Sequence, residues 1–157
     1  MSLPLYPVGR VIPQRPPMVL IDEVVARTSD SIVATTTVRR TDLHFQPGRG
    51  TPARVALEWM AQTCAAYAGS EALDEGGAVR IGFLLGTRDF RATRGWFAEG
   101  THLHVRARLE YHDSEIANFT CEVALSLDGP AVAQASLNVF HPTDAQALID
   151  GQTGAAA

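Results

Sequence analysis

A single long apolar helix constrains the fold of this chain more than any other sequence feature. Residues 53–73, ARVALEWMAQTCAAYAGSEAL, carry apolar side chains on nearly every helical face between Val55 and Ala68. Thr51 and Pro52 predict a helix start just before this stretch, because threonine can cap a helix and proline fits its first turn. A helix that is apolar all round belongs in a core rather than on a surface. The rest of the chain must therefore supply a layer that covers it.

Segments with strand character flank this helix on both sides. The two that precede it are 18–27 and 31–40. The four that follow it are 79–90, 103–112, 118–127 and 131–140, and the last two are joined by Asp128-Gly129, a strong hairpin signal. This order predicts an α+β hotdog fold, with an antiparallel sheet wrapped around one long central hydrophobic helix. One curved sheet leaves part of such a helix uncovered, so we expect a dimer with the helix at its centre.

The length and the net charge of the chain limit the classes of protein to which it can belong. The 157 residues suit one domain, which we expect to span 1–142, followed by a flexible tail at 143–157. A net charge of −4 argues against a nucleic-acid partner, because such proteins present a basic face. Cys64 and Cys121 are too few for a disulfide framework and are expected to be small buried side chains. We find no signal peptide and no apolar run of about 18 residues, so we expect a cytoplasmic protein without a membrane span.

His44 and Glu58 are the residues best suited to acid–base chemistry. His44 lies in the Pro/Gly-rich loop before the helix, and loops placed by a rigid scaffold commonly carry catalytic groups. Glu58 has apolar neighbours on the helix, where a carboxyl group can serve as a proton donor. An alternative is an ordinary ion pair between Glu58 and Arg54, one helical turn earlier. Free backbone N–H groups at the helix start, near Ala53, would stabilise a developing negative charge.

The remaining histidines are weaker candidates. His102 and His104 alternate on one predicted strand and could form a two-histidine metal site. No further ligand lies at a convincing spacing, so we expect no metal. His112 and His141 lie at strand ends, where we expect them to be solvated.

Two segments resemble the FabA/FabZ family of 3-hydroxyacyl-acyl-carrier-protein dehydratases. QRPPMVLIDEV begins at Gln14, and HFQPGRGTPARVALEWMAQ begins at His44. The family's catalytic histidine precedes its catalytic carboxylate by fourteen positions, and Glu58 follows His44 by the same number, since 58 − 44 = 14. The stretch IGFLLGTR, at 81–88, is similar to the subgroup found with aryl-polyene pigment clusters. The resemblance covers about residues 10–142.

The resemblance implies a hotdog homodimer with two composite sites, although a higher oligomer or a heterodimer stays open. His44 of one subunit would take the C2 proton, and Glu58 of the partner subunit would protonate the departing C3 hydroxyl. The Ala53 N–H would hold the thioester oxygen. Substrate-binding roles would fall to three further residues, Phe45, Arg54 and Gln62. No cofactor is implied, since the 4′-phosphopantetheine arrives on the acyl carrier protein.

Three sequence features keep other functions in view. The family has glycine where this chain has Leu43, its loop sequence differs from HFQPGRGTPA, and it is usually apolar at the position of Arg54. A catalytically weak partner subunit of a dehydratase heterodimer is therefore an alternative. A hotdog acyl thioesterase is another, because it uses the same scaffold with a helix carboxylate that activates water. For the acidic carrier protein, we expect a docking surface at the basic cluster of Arg88, Arg91 and Arg94.

Overall fold

A computed structural model of the protein describes residues 3–142, and the predicted tail at 143–157 lies outside the described residues. The helices are α1 (Val8–Val11) and α2 (Ala56–Asp74), and a turn of 3₁₀ helix (Ala53–Val55) leads into α2. The strands are β1 (Glu23–Arg27), β2 (Ser31–Thr37), β3 (Thr51–Pro52), β4 (Phe83–Ala92), β5 (Trp96–Phe97), β6 (His102–Asp113), β7 (Ile116–Ala124) and β8 (Ala131–Phe140).

Six strands form one antiparallel sheet in the order β1-β2-β6-β7-β8-β4. α2 packs on this sheet, mainly against β6, β2 and β7. β4 lies at the far edge of the sheet, beyond the strands that α2 covers. The predicted hotdog architecture is confirmed, and within residues 3–142 no helix covers one part of the sheet's inner face.

The core forms where the apolar face of α2 meets the inward side chains of the sheet. Trp59, Met60 and Ala66 of the helix are buried there with Val105 and Val123 of the sheet, as alternation on the strands requires. Strand alternation and the helix pattern thus bury their apolar residues against each other.

Both cysteines belong to this core, as predicted. Cys64 and Cys121 are free thiols that join α2 to β7, with their Sγ atoms 3.5 Å apart. Burial, with a smaller contribution from Cys121, raises the pKa of the Cys64 thiol, so it stays protonated.

The structure differs from the sequence prediction at the start of the helix. Thr51 does not cap α2, because it pairs with Phe97 in a two-stranded ribbon formed by β3 and β5. Pro52 precedes the 3₁₀ turn instead, and the α-helix proper begins three residues later than the turn, at Ala56. The reason is a tertiary contact, since the ribbon partner comes from a segment after β4.

The strand ends also differ from their predicted positions. β1 begins at Glu23 rather than Met18, because the Met18 N–H donates to the Arg15 carbonyl in a turn. β7 ends at Ala124, so the hairpin loop is longer than Asp128-Gly129 and closes with the Gly129 N–H donating to the Ser126 carbonyl. No helix within residues 3–142 is long and apolar enough to cross a membrane.

Candidate active site

The loop that carries His44 is held by its own backbone and one carboxylate. The Arg39 N–H donates to the Asp42 carboxylate at 2.7 Å, and the Asp42 N–H donates back to the Arg39 carbonyl at 3.0 Å. Gly50 ends the loop with φ +103°, and a Cβ there would lie 2.1 Å from the Phe97 carbonyl oxygen. Only glycine fits this position, so the loop is fixed against the β3–β5 ribbon.

His44 is exposed and lines a cavity of about 260 Å³ beside the start of α2. Two carboxylates share this cavity, Asp22 and Asp42. Asp22 is engaged by the Arg39 guanidinium at 2.8 and 3.1 Å and by the Thr37 N–H at 3.1 Å. These contacts fix Asp22 in the cavity wall. Among the titratable side chains that line the cavity, His44 is the one without a hydrogen bond to another described residue.

Glu58 lies in a different and larger space. It lines a groove of about 740 Å³ between α2 and the uncovered part of the sheet. The helix contributes alanines to this groove, at positions 61, 65, 68 and 72, and the sheet contributes Leu84, Leu109, Phe119 and Val139. The groove is therefore apolar along most of its length, with Glu58 at the N-terminal end of the helix.

Two histidines lie at the far end of this groove, His112 and His141. Burial lowers the pKa of His141, and a hydrogen bond with the Arg80 carbonyl at 3.3 Å only partly offsets this. The His141 ring is therefore neutral at pH 7. It is half-buried rather than solvated as predicted, since β8 ends inside the groove wall.

The two faces of α2 thus separate the candidate base from the candidate acid. Val55 and Trp59 line the His44 cavity, whereas Glu58 and Ala61 line the groove. Within one described chain, His44 and Glu58 do not line a common cavity. A site that uses both requires either a large rearrangement or a second subunit.

Arg54 does not pair with Glu58. Both side chains are exposed, and neither forms an ion pair with any residue between 3 and 142. Arg54 belongs to the 3₁₀ turn, so the regular four-residue spacing of an α-helix does not apply to the two side chains. The predicted alternative of an ordinary intrahelical ion pair is not observed.

The expected oxyanion donor is already occupied. The Ala53 N–H donates to the Gly95 carbonyl at 2.8 Å, which extends the β3–β5 pairing by one step. The prediction that this N–H is free needs correction, because it overlooked the ribbon. The sequence indicated Thr51 only as a helix cap. In the structure it is a buried residue that lines the His44 cavity, and its hydroxyl has no hydrogen-bond partner among the described residues.

The other predicted substrate-binding residues have structural contacts. Gln62 is buried, and its side-chain amide donates to the Met18 carbonyl at 2.7 Å and accepts from the Leu20 N–H at 2.8 Å. Gln62 therefore anchors the segment that forms one wall of the His44 cavity, and it lines neither that cavity nor the Glu58 groove. Phe45 is partly buried and packs against the core.

The predicted basic cluster lies at and just after the free edge of the sheet. Arg88 and Arg91 are exposed on β4, and Arg94 follows that strand. The Arg94 guanidinium lies 5.8 Å from the centre of the Phe97 ring. None of the three forms an ion pair within residues 3–142.

His102 and His104 share the outer face of β6, with ring centres 5.2 Å apart. Among the described residues, no group of three or more His, Cys, Asp or Glu side chains is placed to hold a metal ion.

A family model for ApeP-like proteins, described as ApeP dehydratase, matches residues 6–150. The chain belongs to the ApeP-like dehydratase family. A chain of the dehydratase heterocomplex ApeI:P from Xenorhabdus doucetiae superposes with a TM-score of 0.83 at 26% identity, covering 92% of this chain and 97% of that chain. These findings confirm the resemblance to the dehydratases of aryl-polyene clusters, and they confirm the predicted dehydratase function at the level of the family.

More distant solved structures share the fold alone. The PaaI protein of Escherichia coli, from the phenylacetic acid degradation operon, has a TM-score of 0.57 at 14% identity, covering 75% of this chain and 81% of that chain. A hypothetical thioesterase from Streptococcus pneumoniae, crystallised with coenzyme A, has a TM-score of 0.59 at 12% identity, covering 76% and 84%. Comparison with curated protein sequences finds no significant match.

Proposed function

We propose that this protein converts 3-hydroxyacyl thioesters on an acyl carrier protein to trans-2-enoyl thioesters, in sites that each combine residues of two subunits. The observation that carries the proposal is the separation of His44 and Glu58 by the body of α2. Each subunit then presents the base, His44, on one side of α2 and the acid, Glu58, on the other. A two-fold dimer brings the His44 cavity of one subunit to the Glu58 groove of its partner, and generates two equivalent sites.

The reaction is a proton abstraction followed by loss of water. His44 removes the C2 proton, and the electron pair moves toward the thioester carbonyl. The pair then forms the C2–C3 double bond while the C3–oxygen bond breaks. Glu58 of the partner subunit donates a proton to the departing hydroxyl, which leaves as water. A base and an acid on opposite sides of the substrate can act in sequence without exchanging protons with each other.

The groove that begins at Glu58 receives the acyl chain. Its apolar lining follows α2 from position 58 to 72, about 21 Å at 1.5 Å per helical residue. Ligand cavities of this size and apolarity are typical of small-molecule sites. No cofactor takes part, because the pantetheine arm enters with the carrier protein.

The free edge of the sheet supplies a surface for the second subunit. Among residues 3–142, β4 pairs with β8 on one side only, and its Leu84 and Leu85 are exposed. Only the first part of β4, with Leu84 and Leu85, is an apolar edge of the kind that favours pairing with another chain, and Arg88 and Arg91 lie further along the strand. Pairing there extends the sheet across two subunits and covers the side of α2 that its own sheet leaves open.

A subunit-mixing experiment tests the composite site. His44→Ala and Glu58→Gln should each be inactive alone. After unfolding and refolding as a mixture, half of the dimers contain one subunit of each kind, and one of their two sites is intact, so about a quarter of wild-type activity should return. If each variant stays inactive in the mixture while mixed dimers are seen by native mass spectrometry, the two residues do not act in one site.

A second candidate is a dehydratase heterodimer in which this chain is one subunit. The similarity to a chain of the ApeI:P structure favours it, because that structure is a dehydratase heterocomplex. Co-purification of this chain with a second hotdog protein, and activity that appears only in the pair, would support this assignment. The same assay separates a thioesterase, which would release free thiol instead of an enoyl product.

A further inference from the structure

The hydroxyl of Thr51 has no explained role in the fold. Thr51 is 2% exposed, and its Oγ1 has no hydrogen-bond partner among residues 3–142. Buried hydroxyls nearly always have a partner, so an unpaired one calls for a ligand, a water molecule or a catalytic function. Thr51 also lines the cavity that contains His44. The residue that carries the unpaired hydroxyl therefore borders the cavity where proton abstraction is proposed, and its Oγ1 is buried beside that cavity.

The thioester oxygen needs a hydrogen-bond donor in that same cavity. It is two bonds from C2, so its donor must lie close to the base that removes the C2 proton. Negative charge develops on this oxygen during the reaction, and a fixed donor stabilises it. The Ala53 N–H cannot serve in the observed structure, since it donates to the Gly95 carbonyl.

Few side chains in the cavity can replace that donor. The Arg39 guanidinium is engaged by the Asp22 carboxylate, and Thr41 is exposed on the loop. The indole of Trp59 lines the cavity but packs against Phe97, with ring centres 5.6 Å apart. Thr51 combines burial, a free hydroxyl and a fixed position on the β3–β5 ribbon.

We propose that the Thr51 hydroxyl donates a hydrogen bond to the thioester oxygen while His44 removes the C2 proton. This inference rests on the proposed dehydration. The C2 proton passes to the imidazole, and the electron pair is held on the thioester oxygen beside Thr51. The pair then returns to form the double bond as the C3–oxygen bond breaks, and the hydroxyl leaves with a proton from Glu58 of the partner subunit.

Three variants separate this role from a structural one. Thr51→Val removes the hydroxyl and keeps the shape, in a strand position that valine favours. Thr51→Ser keeps the hydroxyl. The matched control is Ser70→Ala, which removes another buried hydroxyl without a partner among the described residues, on α2 and outside both cavities. We expect kcat to fall about 100-fold in Thr51→Val with KM little changed, and to stay within about threefold of wild type in the other two.

A carbonyl probe tests the hydrogen bond without turnover. A saturated acyl-pantetheine thioester labelled with ¹³C at the carbonyl binds but cannot lose water. Its carbonyl stretch should shift to lower frequency in wild type, Thr51→Ser and Ser70→Ala, and the shift should vanish in Thr51→Val. If wild type binds the probe yet does not dehydrate a 3-hydroxyacyl thioester, the proposed function fails, and the shift still decides the role of Thr51.

Two results would rule out this role of the Thr51 hydroxyl. Full kcat and an unchanged carbonyl shift in Thr51→Val would mean that the hydroxyl only meets a water molecule. Loss of the shift in Trp59→Phe but not in Thr51→Val would assign the oxygen to the indole N–H. Either outcome removes Thr51 from the reaction and leaves the dehydratase assignment intact.

Discussion

The two ends of α2 use charge in opposite ways. At the C-terminal end, the fully buried Arg27 side chain binds both Glu71 and Asp74, and the Tyr6 hydroxyl donates to Asp74 at 2.6 Å. At the N-terminal end, Arg54 is exposed and without an ion pair in the described part of the chain, as is the neighbouring Glu58.

The structural ion pairs therefore lie at the C-terminal end of α2, and the candidate catalytic side chain Glu58 lies at its N-terminal end. A buried arginine is tolerated only when carboxylates and carbonyls compensate its charge, as they do at the C-terminal end. Burying a charge that has no protein partner costs its solvation free energy. Unpaired charges are therefore found where water, substrate or another subunit can reach them. Substitutions at the N-terminal end should therefore change activity without changing stability, and those at the C-terminal end should do the reverse.

The largest expected effect is on catalysis at the N-terminal end. His44→Ala should lower kcat by about 10²-fold or more, because it removes the general base, and should leave the melting temperature unchanged. His102→Ala, which truncates another exposed histidine on the outer face of the sheet, is the control and should keep full activity. Near-normal turnover of purified His44→Ala would show that the base is another residue.

Arg27→Met should give the opposite result. It leaves two carboxylates and the Pro4 carbonyl without their buried donor, and we expect the free energy of unfolding to fall by about 3 kcal/mol. Activity per folded molecule should be unchanged. Arg108→Met is the control, since its carboxylate contacts are exposed and longer than 3.7 Å. Equal stability of the two variants in urea would contradict the proposed role of the buried network.

The same network predicts a pH dependence of stability. Hydrogen bonds from Arg27 and Tyr6 lower the pKa of Asp74 below its ordinary value. The stabilisation is therefore present at neutral pH, above the unfolded pKa, and is lost as the pH falls through the lowered folded pKa. The difference in melting temperature between wild type and Asp74→Asn should shrink below about pH 4. A constant difference between pH 7 and pH 3 would show that the carboxylate charge does not contribute.

Much of the fold was predictable because its signals are local. The helix was predicted at 53–73 and is found as a 3₁₀ turn followed by Ala56–Asp74. β8 was predicted with its observed ends, and its side chains alternate in burial from Ala133 to Asn138. The β3–β5 ribbon was missed, because strands of two residues carry no periodic pattern. That omission led directly to the wrong prediction of a free Ala53 N–H, whose acceptor is 42 residues away in sequence (95 − 53 = 42).

The candidate site was predictable in residue type but not in arrangement. The spacing of His44 and Glu58 pointed to a base and an acid, yet no sequence pattern shows that they line different cavities. Nor does the sequence distinguish Thr51, whose buried hydroxyl has no partner among residues 3–142, from threonines whose hydroxyls form hydrogen bonds with nearby backbone groups. Both facts depend on how the ribbon and the loop pack against α2.

Recognition of the carrier protein should depend on the exposed arginines at the edge of the sheet. The double variant Arg88→Glu/Arg91→Glu reverses two exposed charges on β4. We expect KM for carrier-bound substrate to rise about fivefold, because the carrier protein is acidic, while KM for a small thioester analogue stays unchanged. Equal changes in both KM values, or dissociation of the dimer on light scattering, would assign these arginines to the subunit interface instead.

The smallest expected effect belongs to Arg54. Its exposed side chain is free to meet the phosphate of an incoming pantetheine arm, and a single exposed charge contributes little in water. Arg54→Met should therefore raise KM for a phosphopantetheine thioester about threefold and leave kcat unchanged. Pantetheine thioesters without the phosphate are the matched substrates, and their KM should not move.

An ion pair that forms only during turnover would give a different pattern. A positive charge beside Glu58 would favour its ionised form, which cannot donate a proton. Removing Arg54 would then raise kcat and move the basic limb of the pH–rate profile to higher pH, while the acidic limb stays in place. That result would mean that Arg54 weakens Glu58 as a proton donor and that the two side chains form an ion pair during turnover. An unchanged profile with a weaker phosphate preference keeps the two ends of the helix distinct.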